Sequence, residues 1–408
     1  MSLVWIVADS VRADVFGCDG GAASTPTVDR LAAEGARFER VTSCAPWTVP
    51  SVAAMLTGVH GHRLGLAKWE QPWPDRFPSV FDRAAAAGLT VSSFVFDPAH
   101  LFRRVPAAGV AGSSQDTAAL LAWLRAHRDQ EFLLFVHYWW THIPYVSKPM
   151  TVPAWKQVSD RVLAGLRAGP AASEGVKKLY RHAVHRFSEE WLPPVLDTLD
   201  LDRTAVLVTA DHGESWGERD ETAGLRDVFD LHGNHLHDEV LRVPLIVRPA
   251  GGGGGHDVAG LARTVDLAPT VVDLLGLDLL GPRIDGLSLA PGIRDGVPAP
   301  ATEAIAAQNR DVVDAPDLPA TADDLWRAFA LTTLDHKLIW EPATGRTRAY
   351  DLATDPGETL DLYPTDPDRW ADPLARLAVE RDGATVGPLA EDDVSRLREQ
   401  MRRLGYLE

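Results

Sequence analysis

The sequence has few cysteines and no long apolar run, and both absences limit the class of protein it can belong to. Only Cys18 and Cys44 are present, so disulfide bonds cannot be the scaffold of a chain of 408 residues. No segment approaches the roughly 20 uninterrupted apolar residues that a membrane-spanning helix needs. Residues 2–8 are apolar but lack the basic start and the small-residue cleavage site of a signal peptide. We therefore expect a buried first strand in a soluble, cytoplasmic protein with no membrane partner.

Positive charge is also scarce. The chain has 57 Asp and Glu against 40 Lys and Arg, which gives a formal net charge of −17. Because phosphate backbones are bound by patches of Lys and Arg, this balance argues against a nucleic-acid partner. A protein of this charge that acts on a small anion needs a local source of positive charge, and a divalent metal ion is the simplest one.

The pattern along the first 320 residues is an alternation of short apolar runs and helix-like stretches. The runs have the length and composition of strands that are buried on both faces. They cover residues 3–8, 91–96, 132–136, 205–209 and 243–247. Such alternation predicts an α/β fold, a three-layer sandwich with a mainly parallel central sheet between helices.

The last quarter of the chain has a different pattern. From about residue 322 it consists of short strand-like pieces and a closing helix that carries Val394, Leu397, Met401 and Leu404 on one face. We predict a large domain over residues 1–320 and a small C-terminal subdomain over residues 321–408. Within the large domain, residues 146–195 are predicted to be helical and residues 213–232 to form an acidic, glycine-interrupted loop. Both segments are either lids over a site or surface insertions.

Polar residues follow three of the apolar runs. Asp9 comes directly after the first run, His142 shortly after the third, and Asp211 and His212 after the fourth. Ligands bind at the carboxyl ends of the strands in such sheets, so these side chains are expected to meet. Each has a simpler alternative: Asp9 can cap a strand end, and Asp211 with His212 can form a polar turn.

A hydroxyl stands at the start of another helix-like segment. Residues 48–58 (TVPSVAAMLTG) open with Thr48, turn at Pro50 and predict a helix start with Ser51 near its cap. The positive end of a helix favours an alkoxide beside an anion, although a threonine in this place can also be a simple cap. A metal-bound hydroxyl loses its proton readily. Asp9, Thr48, Asp211 and His212 would together form a four-ligand metal site.

The motifs in sum resemble a known family. They are residues 6–14 (IVADSVRAD), 25–35 (TPTVDRLAAEG), 48–58, 141–145 (THIPY), 209–214 (TADHGE), 241–247 (LRVPLIV), 265–270 (VDLAPT), 285–286 (DG), 350–358 and 404–408. In this order, over nearly the whole chain, they are similar to the sulfatases and phosphoesterases of the alkaline phosphatase superfamily. The resemblance implies a metal-dependent ester hydrolase, with a catalytic domain over residues 1–320 and a small anionic ester as its substrate.

Departures from the sulfatase pattern favour phosphorus esters. Sulfatases have a Cys or Ser that is oxidised to formylglycine, with Arg four residues later, whereas this chain has Thr48 and Val52. The methyl group on the Cβ of threonine prevents formation of that aldehyde, so no formylglycine is expected. The sulfate-holding Lys and His are also missing from residues 94–100. Threonine resembles the nucleophile of the family's phosphodiesterases, which form a phosphothreonine intermediate.

The remaining predictions concern histidines and the metal ion. The resemblance implies that His142 and His232 contact the substrate or protonate the leaving group, and that His235 contacts the substrate. One divalent ion (Zn, Mn, Mg or Ca) is favoured over two, because Ser188 stands where a second site would need an acidic residue. His60 and His62 are taken as surface residues.

Three alternatives stay open at this point. The enzyme could be a phosphodiesterase or phosphomonoesterase, or it could transfer the phosphoryl or phosphodiester group to an alcohol or amine. It could retain sulfatase activity. It could also be a non-catalytic relative, although the presence of Asp9, Thr48, Asp211 and His212 together speaks against this.

Overall fold

The computed structural model describes residues 1–66, 76–95, 109–114, 116–146, 152–218, 231–278, 281, 284–309 and 325–385. The strands of the main sheet are β1 Ser2–Ala8, β2 Ala36–Thr42, β3 Thr90–Val95, β4 Gly109–Ser113, β5 Phe132–Tyr138, β6 Thr204–Thr209, β7 Leu245–Arg248, β8 His256–Arg263 and β9 Ala299–Pro300. Those of the small sheet are β10 Ala304–Asn309, β11 Trp326–Thr332, β12 His336–Glu341 and β13 Arg346–Asp351.

The helices of the described residues lie between these strands. They are α1 Pro26–Ala33, α2 Thr48–Thr57, α3 Gly61–Leu64, α4 Val80–Ala86, α5 Thr117–Ala126, α6 Val152–Arg167, α7 Pro170–Arg186, α8 Leu192–Leu196, α9 Asp238–Leu241, α10 Leu267–Leu274, α11 Ala290–Asp295 and α12 Ala371–Asp382. A π-helical segment, Phe187–Trp191, joins α7 to α8, and short 3₁₀ turns cover Gly17–Asp19, Thr264–Asp266, Tyr363–Thr365 and Pro367–Trp370. No described helix has both the length and the apolar character needed to cross a membrane.

The main sheet confirms the predicted α/β fold. In the described part of the chain its strand order is β4-β3-β5-β1-β6-β7-β2-β8-β9, and only the pairs made by β7 are antiparallel. The central strand β1 is buried along its whole length and pairs in parallel with β5 and β6. The carboxyl ends of these three strands therefore lie side by side. Helices α2, α4 and α10 pack together in one layer, and α1, α7 and α8 belong to the other.

The apolar runs predicted the fully buried strands well and missed the others. The structure has β1, β3, β5 and β6 within one or two residues of the predicted bounds, while β7 begins two residues late, after Pro244. The strand β2 was not predicted because its exposed and half-buried side chains, such as Glu39, interrupt the apolar run. Residues 152–195 are helical, as the sequence predicts, and residues 219–230 of the second long segment lie outside the described residues.

The small sheet is antiparallel, in the order β10-β11-β12-β13. Its first strand begins at Ala304, before residue 321, where the change of sequence pattern placed the boundary. One face packs on α12 through a core that contains Phe329, Leu338 and Leu377. The helix α12 was not predicted, and the closing helix expected near residues 394–404 lies outside the described residues.

A polar contact joins α3, which follows α2, to α12 beside the small sheet. Glu380 on α12 accepts hydrogen bonds from both Arg63 Nη2, at 2.8 Å, and His62 Nε2, at 3.0 Å. His60 and His62 are buried, so the expectation that they lie on the surface was wrong. The ring of His62 packs edge-on against Phe329 of the small sheet, which explains its burial. Burial by itself raises the pKa of Glu380. The hydrogen bond and charge of His62 and the charge of Arg63 outweigh burial and lower this pKa to about 2.

We expect Glu380→Gln to destabilise the protein by about 0.5–1 kcal/mol at neutral pH, because solvent screens a partly exposed ion pair. The folded-state pKa lies below the ordinary value of 4.5, so the advantage of the parent protein is present above pH 4.5. It is lost as the pH falls toward 2. Thermal unfolding of both proteins between pH 2 and pH 7 measures the difference. Glu190→Gln, which removes an exposed pair with Arg186, is the control and should have almost no effect.

Candidate active site

Asp9 lies at the carboxyl end of the central strand β1. Its backbone N–H donates to the carbonyl of Tyr138 at the end of β5, at 2.9 Å. The next residue, Ser10, has a φ of 58°, and its hydroxyl donates to Asp9 Oδ1 at 2.7 Å. A left-handed backbone at a residue other than glycine costs roughly 1–3 kcal/mol and occurs mostly at functional sites. The turn at Ser10 holds the carboxylate of Asp9 at the edge of the sheet.

Thr48 lies at the first position of α2. The sequence predicted a turn at Pro50 and then a helix start with Ser51 near its cap, but the helix already includes Thr48 and Pro50, so that start was wrong. Proline fits within the first turn because an N–H there has no intrahelical partner. The Thr48 hydroxyl is buried and lies 3.3 Å from His212 Nε2. The positive end of the helix dipole is therefore next to this hydroxyl.

Asp211 and His212 follow β6, beside β1. The hydroxyls of Ser43 and Ser51 both donate to the backbone carbonyl of Asp211, at 2.6 Å each, which fixes this turn against the start of α2. His212 Nδ1 lies 2.8 Å from the carbonyl of Gly213. Since a carbonyl only accepts, Nδ1 carries the proton and Nε2 presents its lone pair to the site.

The structure adds His137, which the sequence analysis missed. It lies at the end of β5, and its Nε2 is 3.3 Å from Asp9 Oδ2 and 3.4 Å from Asp211 Oδ2. A signal existed in the sequence, because His137 directly follows the apolar run 132–136, as Asp9 follows the first run. The apolar run alone did not indicate which strand ends lie beside β1.

Donor atoms of Asp9, His137 and Asp211 all lie within 4.8 Å of one another, and all three side chains are buried. Two ligands about 2.0–2.6 Å from one ion can be at most about 4–5 Å apart, so this spacing fits a single divalent cation. His212 Nε2 is 3.8 Å from Asp9 Oδ1 and 3.6 Å from Asp211 Oδ2, which places it at the same cluster. Asp9 Oδ2 accepts no hydrogen bond within the described structure, as expected of an atom that faces an ion.

The electrostatics of this cluster also favour a cation. Burial raises the pKa of Asp9 well above its usual range, and the charge of Asp211 raises it further. Burial opposes ionisation of Asp211 too, but the charge of His212 and the hydrogen bond of His137 lower the pKa of Asp211. Burial lowers the pKa of His212 to about 4, so its imidazole is neutral at pH 7. Two carboxylates and a neutral imidazole are a ligand set that hard or borderline divalent ions accept.

His232 is held beside this cluster by a carboxylate. Its Nδ1 lies 2.8 Å from Glu214 Oε1, and Tyr145 donates its hydroxyl to Glu214 Oε2 at 2.9 Å. The ring centroids of His232 and His212 are 4.5 Å apart. The carboxylate fixes the orientation of the His232 ring, so Nε2 is the nitrogen left to face the site.

His142 completes a row of imidazoles. Its ring stacks on Trp139, with centroids 4.0 Å apart, and lies 5.1 Å from the ring of His232. Nδ1 is 2.8 Å from the carbonyl of Ile143, so it carries the proton. Burial and the neighbouring His232 hold the pKa of His142 well below its usual range, and the ring is therefore neutral at pH 7.

The structure thus brings six of the seven predicted site residues into one group. They are Asp9, Thr48, His142, Asp211, His212 and His232. His235 Nε2 lies 4.0 Å from Glu239 Oε1, and the ring centroids of His235 and His237 are 5.4 Å apart. A substrate contact of His235 stays a prediction.

Solved structures and curated proteins with the same fold or sequence pattern include both hydrolases and a transferase. The phosphonate monoester hydrolase of Agrobacterium radiobacter has a TM-score of 0.69 and 19% identity, over 93% of this chain and 96% of its own. An uncharacterized sulfatase of Escherichia coli, YidJ, is 22% identical over 68% of each chain. The sulfotransferase Agl7 of Haloferax volcanii, which acts in low-salt glycan biosynthesis, is 22% identical over 69% of this chain and 62% of its own. The chain spans less than two thirds of most curated relatives that it matches.

The family model named Sulfatase matches residues 2–104 and 111–277. These ranges contain every residue of the group around Thr48 and more than half of the chain. The match agrees with the buried Asp, His and Asp side chains, since sulfatase-family enzymes depend on a metal ion. The chain therefore belongs to the Sulfatase family of metal-dependent ester hydrolases.

Proposed function

We propose that this sulfatase-family protein hydrolyses small phosphoric or phosphonic esters, with Thr48 as its nucleophile. The observation that carries the proposal is the position of the Thr48 hydroxyl. It lies at the positive end of α2, 3.3 Å from His212 Nε2 and beside the carboxylates of Asp9 and Asp211. A hydroxyl in this place is suited to become an alkoxide next to an anionic ester.

The identity of the nucleophile supports phosphorus over sulfur. A formylglycine aldehyde has one hydrogen on its carbonyl carbon, and the Cβ methyl of Thr48 excludes that product. An alkoxide attacks a phosphoryl centre directly and forms a phosphothreonine that water can cleave. The fold likeness to a phosphonate monoester hydrolase supports the same substrate class, although relatives named sulfatases make a sulfate ester the competing substrate.

Four side chains are proposed to hold the metal ion: Asp9, His137, Asp211 and His212. When bound, one divalent ion would lower the pKa of the Thr48 hydroxyl and neutralise charge on the ester. The carboxylates provide the negative charge that attracts the ion, and burial excludes water that would compete for it. The identity of the metal is left open among Zn, Mn, Mg and Ca.

His232 is the proposed general acid. Its Nδ1 is paired with Glu214, whose negative charge balances an imidazolium, and its ring centroid lies 4.5 Å from that of His212, the neighbour of Thr48. His142 is kept neutral by burial, so it fits a role as a hydrogen-bond partner of the ester or of water. The two histidines thus have different tasks because their environments differ.

The proposed reaction consists of two successive displacements at phosphorus. Thr48 reacts as the alkoxide: its oxygen bonds to phosphorus as the bond to the leaving oxygen breaks, and His232 gives the leaving oxygen a proton. A water molecule next attacks the phosphothreonine, loses a proton to His232, and releases Thr48 as the alkoxide. The products are an alcohol and a phosphate or phosphonate, and His232 has regained its proton.

Thr48→Ala is expected to lower kcat on bis(p-nitrophenyl) phosphate by at least about 10³-fold, because the variant has no oxygen to attack phosphorus. Metal content by elemental analysis should stay near that of the parent. Thr48→Ser is the matched control, since it keeps the oxygen and loses only the methyl group. Full activity of Thr48→Ala would contradict the nucleophile, and faster turnover of p-nitrophenyl sulfate by the parent would contradict the substrate class.

His137→Ala is expected to weaken metal binding by about 10- to 100-fold, because it removes the imidazole that lies between Asp9 and Asp211. Titration of the metal-free protein with Zn²⁺ or Mn²⁺ in a calorimeter gives the affinity directly, without an activity assay. His182→Ala removes an exposed histidine of α7 and serves as the control. Equal affinities of the parent and His137→Ala would remove His137 from the metal site.

Transfer to an alcohol or amine is the second candidate, because Agl7 is a sulfotransferase by name. The Thr48 intermediate is the same in both reactions, and only the acceptor differs. With bis(p-nitrophenyl) phosphate as substrate, a hydrolase releases one p-nitrophenyl phosphate for each nitrophenol, because water is the acceptor. We expect this ratio of one to stay unchanged when glycerol or ethanolamine is added. A new phosphodiester of the added acceptor, found by mass spectrometry, would favour transfer. A protein that binds no divalent ion would instead be a non-catalytic relative.

A further inference from the structure

A buried cluster of charged side chains joins the small sheet to the main domain. Lys337 on β12 is fully buried, and its Nζ lies 2.5 Å from Asp238 Oδ1 and 2.8 Å from Glu358 Oε1. Arg40 on β2 reaches the other oxygen of Asp238, at 2.8 Å. Buried charges are costly unless each one is paired, so this cluster fixes the distances between its members closely.

The cluster holds the backbone of α9 as well as the side chain of Asp238. Asp238 is the first residue of α9, and its N–H donates to Glu358 Oε2 at 2.7 Å. Glu358 itself has a φ of 52°, a backbone conformation that a glutamate adopts only when its surroundings enforce it. Lys337 of the small sheet and Glu358 of the loop that follows β13 therefore hold the start of α9.

Residues 231–241, which we call the His232 segment, contain both His232 and α9. They lie along the loop after β6 that carries Asp211 and His212. Gly213 N–H donates to the carbonyl of Val240, and Glu214 N–H to that of Glu239, both at 2.9 Å. A Cβ at position 213 would lie 2.2 Å from the carbonyl oxygen of Glu239. The two backbones are in direct contact, so a displacement of α9 would move the loop that follows His212.

Glu214 connects α9 to the ring of His232. Its backbone is held by α9, and its carboxylate holds Nδ1 of His232. At the other end of the His232 segment, Ser215 N–H donates to the carbonyl of Leu231 at 2.7 Å. The position of the His232 ring is thus linked to α9, and α9 is held by Lys337 of the small sheet, by Glu358 and by Arg40 of β2.

We propose that Lys337 and Glu358 are positioning residues that set the place of the general acid His232 relative to Thr48. This inference rests on the proposed function, because it assigns the acid to His232. The small sheet would then contribute to catalysis, although neither Lys337 nor Glu358 touches the substrate. An apolar contact would fill the same volume, but it would lack the directional bonds that fix α9.

The test uses the full-length protein and a series of aryl phosphodiesters whose leaving groups range from p-nitrophenol to phenol. A leaving group that is a stable anion needs no proton, so only the poorer leaving groups depend on His232. In Lys337→Met we expect kcat to fall by about 100-fold for phenol and to change little for p-nitrophenol, since a misplaced acid costs about that factor. KM and metal content should stay near those of the parent.

Leu338→Ala is the matched control. Leu338 is the next residue of β12, is buried in the core under α12, and is absent from the cluster. It should lower the stability of the small sheet without changing how kcat depends on the leaving group. Lys337→Met with Glu358→Gln removes a positive and a negative charge together and keeps the test available if Lys337→Met folds poorly.

A double-mutant cycle separates a positioning role from a purely structural one. If Lys337 acts through His232, then Lys337→Met adds no further leaving-group dependence to His232→Ala. Additive effects, or a Lys337→Met profile parallel to that of the parent, would overturn the inference alone. A His232→Ala profile that is as flat as that of the parent would instead overturn the proposed general acid, so the two failures are distinguishable.

Discussion

The structure depends on two carboxylates, Asp9 and Asp211, that are buried together at the carboxyl edge of the main sheet. Their charges repel, and burial removes the water that would otherwise screen them. A nearby cation, or a proton on one of the two carboxylates, stabilises such a pair. His137 lies between the two carboxylates and His212 beside them, which leaves a group of oxygen and nitrogen donors of the size that one divalent ion requires. Such an ion, together with the dipole of α2, would act on the hydroxyl of Thr48.

The proposed nucleophile of this Sulfatase-family protein is a threonine, which cannot become an aldehyde. Thr48 lies at the start of α2, and Ser43 and Ser51 link that helix to the turn at Asp211 through its carbonyl. The fold therefore fixes the position of residue 48, while the type of side chain there decides which intermediate is chemically accessible. The proposed acid, His232, is likewise oriented by a neighbouring group, the carboxylate of Glu214.

The small sheet is closely integrated with the main domain. Ala307 of its first strand donates its N–H to the carbonyl of Cys44, four residues before Thr48. Asn309, on the same strand, accepts the indole N–H of Trp47 at 2.7 Å. Lys337 adds a charged contact to the start of α9. These contacts link the small sheet to residues on both sides of the site.

The sequence by itself determined the class of fold and the residues at the ends of its buried strands. Strands buried on both faces must be nearly continuous apolar runs, so the polar residues Asp9 and Asp211 that end them are conspicuous. Tertiary structure decided the rest. The strand order brings the end of β5 beside β1, which makes His137 a partner of both carboxylates. Partners more than a hundred residues apart, such as His62 and Glu380, are buried by packing that no local pattern encodes.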